Sequence, residues 1–596
     1  MKMTVEEIKK AILKKTTQAI ERIFGQEPES LEIGFPPEIE FGDFTIPCFS
    51  LAKQFKKSPV EIAKLLAKEI ERDPLFQRVE GVGPYLNFKV QNKFLFEAIC
   101  TEVISQGEKF GNSDIGRGER VMVEYLSPNT NKPLHLGHVR NGVFGMAISN
   151  LLEAVGFKVI KANLINDRGV PICKSMLAWK KWANGATPET EGMKGDHFVG
   201  KWYVRYNQEA KKSPEIEKEL DREVHELLRK WEAGDPETRH LWETMNQWVY
   251  QGFEETYQKL GFEFDVFYYE SDTYKLGKDI VFEGLRKGVF KKDEKGAVIF
   301  ELPEEFGRDK DGKPKKVTIL REDGTSLYIT QDLGTALLKV TEHNLDRSIY
   351  VAGSEHEYYF RCLFTILKAL GYGWADKCYH LSYGMVYLPE GKMKSREGKV
   401  VDADDLIAEM EELALEEIKK REAEEEISEQ EAKERAHKIG VGAIKFYLLR
   451  IRPTQDIHFD PEKSISFDGF TGPYCQYAFA RTAGILRKAK TSYPKLEIQE
   501  IDFSVLGSNQ EELQLARQLM KFPEEVEKAA KEFNPARIVN YVYETAQIFN
   551  QFYNKHSVLS ANDPKLVKAR LILVKAVSIV LKKGLNLLGI EVLERM

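Results

Sequence analysis

His135 and His138 bracket Leu136-Gly137 within SPNTNKPLHLGHVRN, residues 127–141, and such a pair is a pattern with chemical content. If a helix starts there, rings at i and i+3 project from the same side of its first turn. Gly137 leaves the backbone open to a close ligand, and the positive end of the helix dipole favours negative charge. Two imidazole donors so placed suit a transition state in which charge builds on an α-phosphate. Taken alone, the tetrad equally suits one histidine that caps and one that packs. A second cationic stretch, GKMKSREGKVVDADDL, runs from Gly391 to Leu406. Its Lys392, Lys394, Arg396 and Lys399 suit a leaving pyrophosphate, although in isolation the stretch also reads as a solvated charge run.

The flanking patterns say what must position these groups. Val121 to Tyr125 is rich in β-favouring residues and predicts a strand, followed by a polar loop from Ser127 to Pro133. Val139, Val143, Phe144, Ala147, Ile148, Leu151, Leu152 and Val155 then recur three or four apart, as one apolar helix face does. Gly156 stands where a helix ends, and Lys158 to Ile165 predicts a second strand. Strand, loop, helix and strand make a βαβ unit, which binds phosphate at its strand-to-helix turn.

Downstream, Pro171 to Leu260 predicts a helical insertion rich in Lys, Trp and Tyr. Val289 to Ile329 is β-rich, with turns at Lys295-Gly296, Asp311-Gly312 and Asp323-Gly324. A strand at Ser348–Ala352, a helix at Tyr358–Leu370 and a strand at Tyr379–Tyr387 resume the sheet. Residues 113–400 therefore form a doubly wound nucleotide-binding domain in a multidomain α/β chain. Residues 1–112 predict an N-terminal α+β domain. Thr4 and Glu7 make a capping box, Ser58, Pro59 and Glu61 open a second helix, Tyr85–Val90 is a strand and Asn92–Gln106 a helix. Residues 401–466 connect, with Leu406 to Ile439 read as a solvated, highly charged helix, and residues 467–596 are helical throughout.

Bulk properties set outer bounds. A chain of 596 residues has room for about three or four domains. A net charge of −6 does not advertise a nucleic-acid binder, yet a local basic surface suffices to track phosphates. The six cysteines include no CxxC pair, which argues against a structural zinc ribbon and for a reducing compartment. No apolar run is long enough to span a membrane and the start of the chain lacks a signal-peptide core, so a cytoplasmic location is expected.

The long match around the histidines resembles the HIGH signature of class I aminoacyl-tRNA synthetases, in the form used by arginyl-tRNA synthetases. Gly391 to Leu406 resembles the KMSKS loop of that class, and Phe41 to Pro59 resembles the extra N-terminal domain of arginyl-tRNA synthetases, which touches the outer corner of the tRNA. Phe467 to Ala489, Phe533 to Leu559 and Gly584 to Met596 resemble their all-helical anticodon-binding domain. The resemblance implies ATP with Mg²⁺, arginine and tRNA(Arg) as substrates, no structural metal, a monomer, and arginine activation that needs bound tRNA. It implies catalytic roles for His135, His138, Lys132 and Lys392, and ATP contacts from His135, Gly137, His138, Gly353, Glu355, Lys392, Met393 and Ser395. Arginine would be held by Glu124, Asn129, Tyr328, Asp332 and His356, although Asp332 also reads as the N-cap of a helix starting at Leu333. Tyr541, Phe549, Tyr553 and Asn554 are the expected tRNA contacts, with core packing as the rival role for the aromatics. One departure stands out: the position of the loop's usual second lysine is Ser395, and Lys132, upstream of the histidines, matches the place of a compensating lysine.

Overall fold

The computed structural model describes residues 3–70, 72–387, 401–421 and 427–596. The N-terminal module builds helices on one antiparallel sheet of β1 (Phe44–Pro47), β2 (Phe76–Val82) and β3 (Tyr85–Val90), ordered β1-β3-β2. The Thr4–Glu7 capping box opens helix Val5–Phe24, with Thr4 Oγ1 accepting from the Glu7 amide at 3.1 Å and the Glu7 carboxylate accepting from the Thr4 amide at 2.8 Å. The strand at Tyr85–Val90 and the helix at Asn92–Gln106 fall where their patterns placed them.

The centre of the molecule is a five-stranded parallel sheet. Its strands are β4 (Arg120–Glu124), β5 (Lys158–Ile165), β6 (Val266–Tyr269), β10 (Arg347–Gly353) and β11 (Cys378–Tyr383), in the order β11-β10-β4-β5-β6. Between β6 and β10 lies a small antiparallel sheet of β7 (Lys291–Lys292), β8 (Val298–Glu301) and β9 (Lys316–Leu320). The strand order reverses between β4 and β10, and a crevice opens outside the carboxyl ends of two such strands. β6 carried too short a pattern, only four residues, to be singled out in advance. The insertion before it holds helices Val170–Trp182, Gly195–Ala210, Pro214–Glu232 and Pro236–Leu260.

Helix Leu136–Ala154 follows β4 and is buried nearly all round, not along one stripe, because it lies at the centre of the molecule. On the sheet side a Cβ at Gly145 would fall 2.3 Å from the Tyr125 ring, so glycine sets how closely helix and strand approach. Helices Glu429–Leu449 and Gln510–Lys531 pack against it elsewhere. The far end of the chain reaches it too: Asn150 Nδ2 donates to the carbonyls of Asn586 (3.3 Å) and Leu587 (3.4 Å), and the turn at Gly589 lies against Met146. Lys445, buried at this junction, donates to the Gly589 carbonyl at 2.5 Å.

Three expectations change. The strand read over Tyr379–Tyr387 breaks at Gly384, where the backbone meets the Gln455 carbonyl, and resumes as β12 (Val386–Tyr387) paired with β13 (Ile457–His458). The single solvated helix read over Leu406–Ile439 is two helices packed together, Ala403–Arg421 and Glu429–Leu449. Leu406, Ile407, Met410, Ala414 and Ile418 form a buried stripe that the surrounding charge hid. In the helical domain Tyr541 is 3% and Phe549 0% exposed, so both belong to its core; the Tyr541 hydroxyl donates to the Gln518 carbonyl at 2.6 Å. Tyr553, 42% exposed, and Asn554 face outward.

Candidate active site

The chain leaves β4 through an unusual bend. Leu126 and Ser127 both take positive φ, 77° and 47°, a conformation that costs a non-glycine residue about 1–3 kcal/mol. Two buried asparagines hold it: Asn141 Oδ1 accepts from the Leu126 amide at 2.5 Å, and Asn163 Oδ1 from the Ser127 amide at 3.2 Å. Asn141 also donates to the Val351 carbonyl (2.9 Å) and the Tyr383 hydroxyl (3.0 Å), joining the helix to β4, β10 and β11. Its neighbour Arg140 is buried and donates to the carbonyls of Gly384 (2.8 Å), Leu448 (2.9 Å), Pro453 (3.1 Å) and Gln455 (3.1 Å). The residues just after the second histidine thus fix the helix to the rest of the domain.

His135 is the N-cap of helix Leu136–Ala154 and His138 is its N3 residue. His135 Nδ1 accepts from the Gly137 amide at 3.2 Å, and His138 Nδ1 accepts from the His135 amide at 3.1 Å. A ring nitrogen that accepts carries no proton, so in the neutral rings the proton sits on Nε2. The rings lie 3.8 Å apart, both part of the cleft wall. Burial and the neighbouring Lys132 push His135 down to about 4, and burial, His135 and Lys132 push His138 well below its usual range. Both are therefore neutral Nε2–H donors near pH 7. Lys132 is itself partly buried, which lowers its pKa, and its charge reaches both rings.

The histidine loop is clamped by residues 401–404. Leu136 N donates to the Val401 carbonyl and Ala403 N to the Leu134 carbonyl, each at 2.9 Å, across a bridge of His135 with Asp402. Asp404 anchors this segment to the insertion through Lys194 (2.7 Å), Lys259 (3.0 Å) and His197 (3.1 Å). Burial alone would raise the Asp404 carboxyl, but hydrogen bonds from His197, Lys194 and Lys259 hold it well below the usual carboxylate range. Lys392, Met393 and Ser395 lie outside the described residues.

The cleft encloses about 1070 Å³. Its wall brings together Glu124, Asn129, His135, Gly137, His138, Tyr328, Asp332, Gly353, Glu355 and His356, which come from three separated stretches of sequence. Asn129 lies beside the histidine loop, bridged to Asn166, and Gly353, Glu355 and His356 form the turn after β10. His356 and Tyr328 are exposed at the rim, Tyr328 by 68%. Asp332 sits inside helix Tyr328–His343, whose N-cap is Leu327, so the capping role for Asp332 falls away. Its carboxylate accepts from the Tyr359 hydroxyl. Burial raises the Asp332 pKa to about 6 against the lowering influence of Tyr359 and Lys339. Glu124, 8% exposed at the end of β4, pairs with Lys339. Sequence reasoning missed Asn141, Tyr359 and Lys339; only Lys339 left a signal, two helical turns after Asp332 on the same face.

Comparison with known proteins places this geometry. Residues 100–461 match the family model for "tRNA synthetases class I (R), catalytic domain", residues 475–596 the "DALR anticodon binding domain", and residues 6–90 the "Arginyl tRNA synthetase N terminal domain". The chain is 43% identical over 575 residues to an arginine–tRNA ligase of Treponema denticola, covering 96% of this chain and 95% of that one. To the Parabacteroides distasonis arginine–tRNA ligase it is 42% identical over 570 residues, with 93% and 94% covered. The solved arginyl-tRNA synthetase of Thermus thermophilus superposes with a TM-score of 0.79 at 26% identity, over 98% of this chain and all of that one. The catalytic match spans the parallel sheet and its histidine-capped helix, and the similarity runs through all three parts of the molecule: the chain belongs to the arginyl-tRNA synthetase family.

Proposed function

We propose that the chain is an arginine–tRNA ligase: it activates arginine with ATP to arginyl-adenylate, then transfers the arginyl group to the 3′ end of tRNA(Arg). The observation that carries this reading is the composition of one cleft. Two neutral imidazole donors cap a helix at one end, and two carboxylates, Glu124 and Asp332, stand at the other. In the first step the arginine carboxylate attacks the α-phosphorus of Mg²⁺-bound ATP, the bond to the bridging oxygen breaks, and pyrophosphate leaves. Nε2–H groups of His135 and His138 donate to phosphate oxygens as charge builds there, with Gly137 and Gly353 admitting the nucleotide and Glu355 at its rim. In the second step a hydroxyl of the terminal ribose attacks the activated carbonyl and AMP leaves.

Glu124 and Asp332 meet the guanidinium, while Asn129, Tyr328 and His356 close around the rest of the amino acid. Lys132 stands where its charge can reach the phosphates in place of the lysine that Ser395 replaces. Tyr553 and Asn554 remain the outward-facing candidates for anticodon-side contact. In this reading the chain works as a monomer in the cytoplasm, a reducing compartment that suits its six free thiols. The test is ATP–pyrophosphate exchange with each amino acid, with and without total tRNA. Exchange should appear with arginine only, and only when tRNA is present; exchange driven by another amino acid overturns the reading.

A further inference from the structure

Among the described residues that line the cleft, Lys339 is the one lysine or arginine, and the chemistry above gives it nothing to do. It is 2% exposed, pairs with Glu124, and places its ammonium 5.4 Å from the ring centroids of both Tyr268 and Tyr350. It follows Asp332 by two turns on helix Tyr328–His343, so both side chains leave the same face.

The charges then count simply. Two carboxylates alone would confront one incoming guanidinium with an excess negative charge in a desolvated pocket. A buried site in that position takes up a proton instead of holding the extra charge. With the lysine included, the pocket carries one net negative charge and a guanidinium brings it to zero. We propose that Lys339 is a positioning residue that fixes the charge of the arginine pocket, so that Glu124 and Asp332 stay ionised together to meet a single guanidinium. The inference rests on the reading of those two carboxylates as the arginine ligands.

Asp332 is the group that would take the proton, since burial already raises it to about 6. The charged and titratable groups facing it are Glu124 from β4, Lys339 and Tyr328 from its own helix, Tyr359 from helix Glu357–Ala369, Tyr350 from β10, and Glu270. Of these, Lys339 is the cation that acts on Asp332 itself; Glu270 lies against its own cation, Arg168, at 3.9 Å, and the two leave the net charge of the pocket unchanged.

The test measures the KM for arginine by pyrophosphate exchange, with tRNA present, from about pH 6 to pH 8.5. The full-length chain is compared with Lys339→Met, Lys339→Arg and Asp332→Asn. Lys339→Met should raise the KM about tenfold near pH 7, the effect of moving the Asp332 carboxyl up by about two units, and the loss should fade as pH rises. Its kcat and its KM for ATP should hold, and Lys339→Arg should follow the parent. A loss of the same size at every pH, or none, overturns the proposal. The double variant E124Q/K339M restores the single negative charge and should return a flat profile above neutral pH even if its KM stays high. It decides the matter if Lys339→Met melts early, because a pH-dependent KM in the double variant also overturns the proposal. Asp332→Asn separates the two layers. An unchanged KM there sinks the assignment of the carboxylates, whereas a raised KM beside an unmoved Lys339→Met profile sinks only the role of Lys339.

Discussion

Where the histidines line the cleft burial acts on bases, and at Asp332 it acts on an acid. His135 and His138 are pushed down and lose their charge, which leaves two Nε2–H donors fixed by backbone amides on the opposite nitrogen. Asp332 is pushed up toward neutrality by the same cause, yet Tyr359 and Lys339 oppose the shift. One end lets desolvation remove a charge, and the other pairs its charges against it. A transferring phosphoryl group already brings negative charge and calls for donors that cost nothing to reorganise, whereas a guanidinium calls for ionised acceptors. The partners, not the depth of burial, decide what each end can bind.

The sharpest way to break this contrast is at the histidine end. His138→Ala should lower the rate of arginyl-adenylate formation by roughly 10²–10³-fold, the usual effect of losing one such donor, with the KM for arginine changed far less. Single-turnover formation of the adenylate reads this directly, and a loss below tenfold would mean that the Nε2–H is idle. Lys132→Ala should cost about 10²-fold or more in the same assay, with ATP affinity less affected. Adding Ser395→Lys should recover part of that loss; near-normal activation without Lys132 would show that the charge comes from elsewhere.

At the acidic end the effect should move from rate to affinity. Asp332→Asn keeps the shape and removes a charge, so the KM for arginine should rise roughly 10–100-fold while that for ATP stays put. If instead kcat falls and KM holds, the two ends do not divide the work as described. The smallest effect is on pH. Asp332 is ionised above about 6 and protonated below, so the KM for arginine should climb as pH falls through that value, by about tenfold per unit further down. His135, at about 4, is neutral across the same window, so kcat should stay level while KM moves. A kcat that titrates alongside KM would show a shared group.

The stretch from Glu124 to the histidine helix was legible because it is contiguous. The strand, bend, histidines and helix occupy one stretch, and Glu124, Asn129, Lys132, His135 and His138 could be placed from local pattern and the family resemblance it carries. The acidic end is assembled from β4 and two helices on either side of β10, so no local pattern connects Glu124 to Lys339 or Asp332 to Tyr359. Their pairings are tertiary facts. The same limit explains Tyr541 and Phe549, since an aromatic that reads RNA and one that fills a core look alike in sequence until exposure is known. Leu406–Ile439 failed for another reason: glutamates and lysines on the outer face outnumbered the buried stripe of two packed helices.

The contact between Asn150 and the carbonyls near Gly589 has a further meaning for biosynthesis. It joins residues 436 positions apart, so the histidine helix leaves the ribosome long before the strand of chain that walls it exists. Chains generally fold from the N-terminal side as they are made, and contacts of such long separation close late. A nascent chain can therefore complete its N-terminal module and much of its parallel sheet while its catalytic helix still shows Met146 to solvent. Loss of residues 586–596 would leave the second half of the histidine helix, at Met146 and Asn150, without the chain that covers it. The enzyme that supplies translation would in this way complete the packing of its histidine helix only once residues 586–589 have been made.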